Sequence, residues 1–178
     1  MMWRSFTRKS DRLILRRYKR ADAAILPTLL DDWQVARWLA RTPHPYTVDD
    51  GKDWIKIARS VLNRGRGYAL AIEEKETGKL IGGVGLSLET GEIGYWFGRD
   101  HWGKGYATET VALVASMGFG ETELSKLWAM VLPGNDASRR VLQKVGFVSS
   151  GTRPYPFRNV ERSADYFHLQ RWEWQAVL

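Results

Sequence analysis

Trp102-Gly103-Lys104-Gly105-Tyr106-Ala107-Thr108-Glu109 decides how the rest of this chain is read. It follows a strand-like run over residues 92–97 and opens residues 106–119, where Ala107, Val111, Val114, Ala115 and Phe119 share one helical face. A glycine-rich turn between strand and helix leaves the first backbone N–H groups of the helix unpaired and electropositive, which suits a phosphate. The glycines permit close backbone approach, and Lys104 adds charge. An ordinary strand-to-helix turn has the same composition, and three phosphate-binding readings also compete. A Walker A loop is nearly spelled by Gly98, Gly103 and Lys104, but Gly105 stands where Ser or Thr would hold magnesium. A dinucleotide fingerprint matches at Gly103 and Gly105, yet Thr108 replaces its third glycine, and 178 residues show no second mononucleotide-binding half.

Outward from the loop, the patterns describe an α/β (α+β) protein. Residues 12–16 read as a first strand, 21–31 as a helix despite Pro27, and 33–40 as another helix. Residues 42–46, with two prolines, read as a loop, after which Thr47 caps a helix carrying Trp54, Ala58 and Val61. Residues 68–73, 80–88 and 92–97 form an antiparallel meander with turns at Thr77-Gly78 and Thr90-Gly91. Beyond the loop helix come a strand at 126–132, then a helix capped by Asn135 or Asp136 and stopped by Gly146. Strands at 147–150 and 166–172 complete the chain. The expected architecture is a single mixed, mostly antiparallel sheet of about seven strands flanked by about four or five helices.

The chain has 44% hydrophobic and 12% aromatic residues, enough for one core, so residues 11–178 are expected to form a single domain behind a polar basic tail at 1–10. The net charge of +7 is not spread evenly. Residues 1–20 hold eight Lys or Arg against one acid, which equals the whole excess, so no basic nucleic-acid-binding domain is implied. That end is either a solvated edge or an attractant for an acidic partner or ligand phosphates. Cysteine is absent, which excludes disulfides and a thiol acyl-enzyme, and the three histidines are too scattered to mark a metal site. No signal-like or membrane-length apolar run is present, so the expectation is a cytoplasmic protein without membrane contact, monomeric or homodimeric.

Residues 102–107 also resemble the pyrophosphate loop of the GNAT acetyltransferases, written Gln/Arg-x-x-Gly-x-Gly/Ala, with Trp102 departing at the first position. The longer string through Glu109 is similar to the RimJ/RimL-type protein N-acetyltransferase branch. Four further segments resemble that branch in order: residues 11–16, 43–47, 91–96, and Asn135-Asp136-Ala137-Ser138 with Lys144-Val145-Gly146-Phe147. The resemblance spans about residues 11–172. It implies the GNAT fold, acetyl-CoA as co-substrate, no metal, and a primary amine as acceptor, with a protein N-terminus or a small amine as alternatives.

Acetyl transfer to an amine needs a base, a polarised thioester carbonyl and a stabilised leaving thiolate. In the resembling family the strand carrying Tyr95, Trp96 and Phe97 splays from its neighbour, so its backbone is expected to align the pantetheine arm. Residues Trp102, Gly103, Lys104, Gly105, Tyr106, Ala107 and Thr108 are expected to hold the pyrophosphate. Glu92 is a candidate base, with His168 and Asp165 as rivals because the family's acceptor cleft is lined partly from that region. Many relatives carry a general-acid tyrosine where this chain has Leu142, which leaves Ser138, the serine of the branch's Asn-x-x-Ser pattern, as the thiolate stabiliser. Asn135 is a candidate partner for pantetheine amides and equally a helix cap. Residues 42–54 and 153–158 are expected to shape the acceptor cleft. Competing readings are a CoA-binding relative without turnover, a small nucleotide-binding oxidoreductase, and a basic module for acidic protein or RNA.

Overall fold

The meander predicted in the middle of the chain becomes the centre of the molecule because its side chains alternate. The computed structural model describes residues 6–175. In chain order its elements are β1 (Thr7–Lys9), β2 (Leu13–Arg16), α1 (Asp22–Leu30), α2 (Trp33–Ala36), α3 (Val48–Asn63), β3 (Gly67–Glu74), β4 (Leu80–Ser87) and β5 (Ile93–Phe97). After a 3-10 turn at Arg99–His101 follow α4 (Tyr106–Glu121), β6 (Lys126–Val131), α5 (Asp136–Val145), β7 (Val148–Phe157), β8 (Val160–Gln170) and α6 (Arg171–Gln175). Along β3, Tyr68, Leu70 and Ile72 enter one core, while Ala69 and Ala71 enter another on the opposite face. The first core takes Val111, Val114 and Met117 of α4 and Leu142 of α5. The second takes Leu26 and Leu30 of α1 with Ile55 and Ala58 of α3. Period-two strands thus receive helices on both faces.

The strands do not form one continuous sheet of about seven. They divide into an antiparallel five-stranded sheet, ordered β1-β2-β3-β4-β5, and a three-stranded sheet, ordered β6-β8-β7. Among the described residues the two sheets are bridged at one position, Glu92 beside Trp128, in parallel orientation. There the Trp128 N–H donates to the Gly91 carbonyl at 3.0 Å. Gly91 has a φ of +77°, and a Cβ on it would stand 2.4 Å from the Lys126 carbonyl oxygen, so the close approach requires glycine.

Three local expectations are corrected. The basic segment read as a tail is structured from Phe6, since Thr7–Lys9 pairs with β2, Phe6 stacks on Tyr68 at 5.3 Å and Arg8 bridges Glu121 at 2.7 Å. Its charge suits an edge strand, where cations discourage further pairing; residues 1–5 of the expected tail lie outside the described residues. The helix expected over 33–40 is regular only to Ala36. Finally, the strands expected at 147–150 and 166–172 extend toward each other through residues 153–158: β7 and β8 are one long hairpin closed by Arg158 and Asn159, both at positive φ as a two-residue turn of this kind requires. Pro154 and Pro156 are tolerated because β7 is the outer strand of its sheet. The helices number six rather than four or five, and none is long and apolar enough to cross a membrane among the described residues.

Replacing Gly91 with alanine forces a left-handed backbone on a residue with a Cβ and drives that atom into Lys126. The conformational term alone costs about 1–2 kcal/mol. With the clash added, the melting temperature of Gly91→Ala is expected to fall by roughly 4–8 °C in calorimetry.

Candidate active site

The loop after β5 is built to leave its N–H groups free. Gly103 and Gly105 adopt φ of +74° and +80°, and Gly105 stands at the N-cap of α4 with no side chain capping the helix. The first bond back to that cap runs from the Glu109 N–H to the Gly105 carbonyl. The N–H groups of Tyr106, Ala107 and Thr108 therefore have no helical acceptor. Trp102, where the sequence departs from the usual loop pattern, ties the loop to the end of β5 by donating its indole N–H to the Phe97 carbonyl at 2.9 Å. Arg12 ties the other side, donating Nη1 to the Lys104 carbonyl and Nε to Glu109, both at 2.8 Å. Its guanidinium also lies 4.7 Å from the Tyr106 ring centroid.

Glu109 accepts in addition from Ser10 Oγ at 2.7 Å and from the Arg12 N–H at 2.8 Å. Burial pushes the Glu109 carboxyl upward, but these hydrogen bonds and the Arg12 charge outweigh it and hold the group below the usual range. The result is a rigid, uncapped helix start with two residues lacking Cβ atoms and with Glu109 neutralised by Arg12. These residues fit a pyrophosphate.

β5 carries the second part of the site. It pairs with β4 along Ile93–Phe97, while on its other edge the described residues show only the Glu92–Trp128 bridge. Backbone groups beyond that point face the opening between the two sheets. Tyr95 packs with the α4 and α5 core, whereas Trp96 packs with the α1 and α3 core. By alternation Glu92 lies on the Trp96 face and Tyr95 on the opposite one. Phe97 is buried, so it offers this opening only its backbone, and the Trp96 ring is likewise taken up by packing.

The Tyr95 and Ser138 hydroxyls share a hydrogen bond of 2.8 Å, joining β5 to the first turn of α5. Burial pushes the tyrosine up to about 12, against the opposing effect of Ser138. Asn135 is the N-cap of α5, its Oδ1 accepting from the Ser138 N–H at 3.2 Å, which leaves its amide NH2 for another partner. Leu142 is fully buried in the core. The hydroxyls available beside α5 are therefore those of Tyr95 and Ser138.

On the Glu92 face lies a cleft of about 440 Å³. Trp128 and Tyr166 stack at 5.6 Å along one wall, and the Arg153 guanidinium lies 3.6 Å from the Tyr166 ring centroid. Arg41, Lys126, Met130, Pro154, Tyr155 and Pro156 complete the lining with Glu92. Burial raises the Glu92 carboxyl above its ordinary value, while Arg41 and the Tyr155 hydroxyl oppose that shift.

The rival bases are placed differently. His168 bonds Ser150 Oγ at 3.1 Å through Nδ1 and stacks on Tyr166 at 6.0 Å, but it is not among the residues lining the cleft. Asp165 is bound to Arg139 of α5 at 2.5 Å. Of the two segments expected to shape the cleft, 153–158 contributes Arg153 to Pro156, whereas 42–54 contributes nothing. That segment packs on α1 and α2 instead, with His44 against Trp33 and Asp31, and Arg41 just before it supplies the cleft residue. Lys126, Trp128, Met130 and Tyr166 escaped the sequence reading. For the first three the signal was present in β6, where buried Leu127, Ala129 and Val131 alternate with them.

The model of the acetyltransferase (GNAT) domain matches residues 12–148. The chain is 33% identical over 147 residues to the "Uncharacterized N-acetyltransferase p20" of Bacillus licheniformis, covering 80% of this chain and 82% of that one. It is 31% identical over 157 residues to the "Uncharacterized N-acetyltransferase YoaA" of Bacillus subtilis, covering 85% and 88%. Among solved structures, a putative ribosomal-protein-serine acetyltransferase from Vibrio cholerae superposes with a TM-score of 0.83 at 20% identity, covering 93% and 97%. Mycobacterium smegmatis RimJ, solved with CoA-disulfide, superposes at 0.79 with 24% identity, covering 89% and 81%.

The anchoring of the loop by Arg12 makes a separable prediction. Glu109→Ala removes the carboxylate that holds Arg12 over the loop, so calorimetric titration is expected to show weaker CoA binding. The melting temperature of the ligand-free variant should also drop by several degrees, since the Glu109 side chain is only 16% exposed and accepts from Ser10 and the Arg12 backbone as well as from the guanidinium.

Proposed function

The chain belongs to the GNAT acetyltransferase family and is an acetyl-CoA-dependent N-acetyltransferase; from that premise we propose that its acceptor is the N-terminal α-amine of a protein or peptide. Residues 102–108 hold the pyrophosphate through their backbone N–H groups, and Asn135 and the open edge of β5 receive the pantetheine amides. Bound acetyl-CoA supplies an acetyl group activated as a thioester. Glu92 receives the proton that the amine nitrogen loses as its bond to the acetyl carbon forms. The Tyr95–Ser138 hydroxyl pair donates a hydrogen bond to the sulfur as the carbon–sulfur bond breaks, and a thiol, with a pKa near 8.5, needs little more to leave.

One observation carries this assignment. Glu92 and the hydroxyl pair lie on opposite faces of the same strand, beside the place where the two sheets part after the Glu92–Trp128 bridge. Acceptor and donor are thereby brought together from opposite sides without a covalent enzyme intermediate. The choice of a protein N-terminus is supported by a cleft whose wall is built from the exposed outer strand β7, where an extended chain end has room to lie. The likeness to RimJ and to a ribosomal-protein-serine acetyltransferase supports the same choice.

Steady-state measurement of CoA release with amino-terminal peptides tests the proposal. Glu92→Gln is expected to lower kcat by about 10²-fold or more, the usual range for a lost general base. Because the ionised carboxylate is the active form and burial raises its pKa, wild-type kcat should fall with decreasing pH above the ordinary carboxylate range, and that limb should vanish in Glu92→Gln. A variant within twofold of wild type would remove Glu92 from the chemistry. Tyr95→Phe, which breaks the hydroxyl pair and leaves the ring packing intact, is expected to lower kcat while leaving the KM for acetyl-CoA near its wild-type value. Turnover of small amines with no turnover of peptides would reassign the acceptor.

A further inference from the structure

The charges of the acceptor cleft are unbalanced in a way that general acetyl transfer does not require. Its lining holds three cations, Arg41, Lys126 and Arg153, against a single carboxylate, Glu92. None of the three forms an ion pair within 4.0 Å among the described residues, so their charge in the cleft is opposed by Glu92 alone among the lining side chains. Arg153 instead lies over Tyr166, its guanidinium carbon 3.6 Å from the ring centroid, and Lys126 approaches the same ring at 5.8 Å. A guanidinium held over an aromatic ring gives up none of its five N–H donors to an acid, and its planar fork suits a carboxylate in bidentate fashion. The neighbouring acid, Asp165, does not compensate, since Arg139 already neutralises it.

We propose that the cleft selects an acceptor amine that carries negative charge close to it, specifically an N-terminus with Asp or Glu in its first few positions. This rests on the reading of the cleft as the acceptor site for a peptide N-terminus. The amine reaches Glu92, while the following carboxylate is held by Arg153 and Lys126 over the Trp128–Tyr166 stack. Arg41, whose charge is felt by Glu92, keeps an unaccompanied cation from being favoured in the cleft. A polyamine, with its several positive charges, meets three like charges there and is disfavoured. Charge complementarity of this kind discriminates between acceptors more than it adds to affinity.

The test is a set of peptides identical except at positions two to four, which are acidic, neutral or basic, together with spermidine, assayed for CoA release at low and high ionic strength. The expected result is a kcat/KM for the acidic peptide about tenfold or more above that for the basic one, a ratio worth one step of 1.4 kcal/mol, and a ratio that shrinks with added salt. Arg153→Gln and, separately, Lys126→Gln are expected to bring the acidic-to-basic ratio toward one, and Arg153→Glu to invert it. Quenching of tryptophan fluorescence by each peptide in the CoA complex, lost in Trp128→Phe, reports binding in the cleft independently of turnover. Equal use of acidic, neutral and basic peptides would overturn charge selection while leaving the peptide acceptor standing. Turnover of spermidine but of no peptide would overturn both. Turnover of an anionic small amine but of no peptide would overturn the peptide acceptor, and with it the acidic N-terminus.

Discussion

Trp128 joins the two sheets at the point where they begin to part, its backbone N–H donating to the Gly91 carbonyl and its indole N–H to the Thr90 carbonyl. Everything functional is arranged around that junction. Had β5 and β6 continued to pair, their backbone groups would have been consumed in a ladder and the gap between them closed. Because among the described residues they pair once and separate, the edge of β5 stays open, and one face of the strand presents the Glu92 carboxylate while the other presents the Tyr95–Ser138 hydroxyl pair. The constraint is steric as well as electrostatic, since only glycine fits against the Lys126 carbonyl at that distance.

The proposed function separates two binding tasks by face. Helices α4 and α5, with the loop at 102–108, lie with the core that contains Tyr95 and Leu142, and their contribution to an anionic ligand is mainly backbone N–H and helix-start potential. The opposite side is lined by charged and aromatic side chains of β6, β7 and β8, where recognition rests on side-chain chemistry. This division explains why Trp102 can replace the usual first residue of the loop. The donors the loop leaves free are backbone N–H groups, and the indole serves instead as an anchor to the Phe97 carbonyl.

The same division explains what the sequence made legible. Features set by local rules were readable: the glycine turn at Gly103 and Gly105, the capping of α3 by Thr47, the Asn135 cap, the Gly146 stop and the alternating meander. Glu92 was readable as a candidate because it begins the strand preceding the loop. The parting of the sheets was not, since it depends on Gly91 meeting Lys126 from a strand 35 residues later, and β5 alone looks like any other strand. The β7–β8 hairpin was obscured by Pro154 and Pro156, which argue against a strand unless its outer position is known. Lys126, Trp128 and Tyr166 become a wall only when β6 and β8 pair and place Met130 opposite Tyr166. The Tyr95–Ser138 bond, joining residues 43 apart, is a product of tertiary packing.

A crystal structure of the enzyme with a bisubstrate conjugate, a peptide N-terminus linked through its acetyl group to CoA, tests the central claim most directly. The pyrophosphate is expected on the N–H groups of residues 103–108, the pantetheine in the opening between β5 and β6, the linked nitrogen beside Glu92, and the peptide against Trp128 and Tyr166. A conjugate whose peptide lies on the α4–α5 side, or whose pantetheine avoids the opening, would contradict the account of two partners meeting across β5.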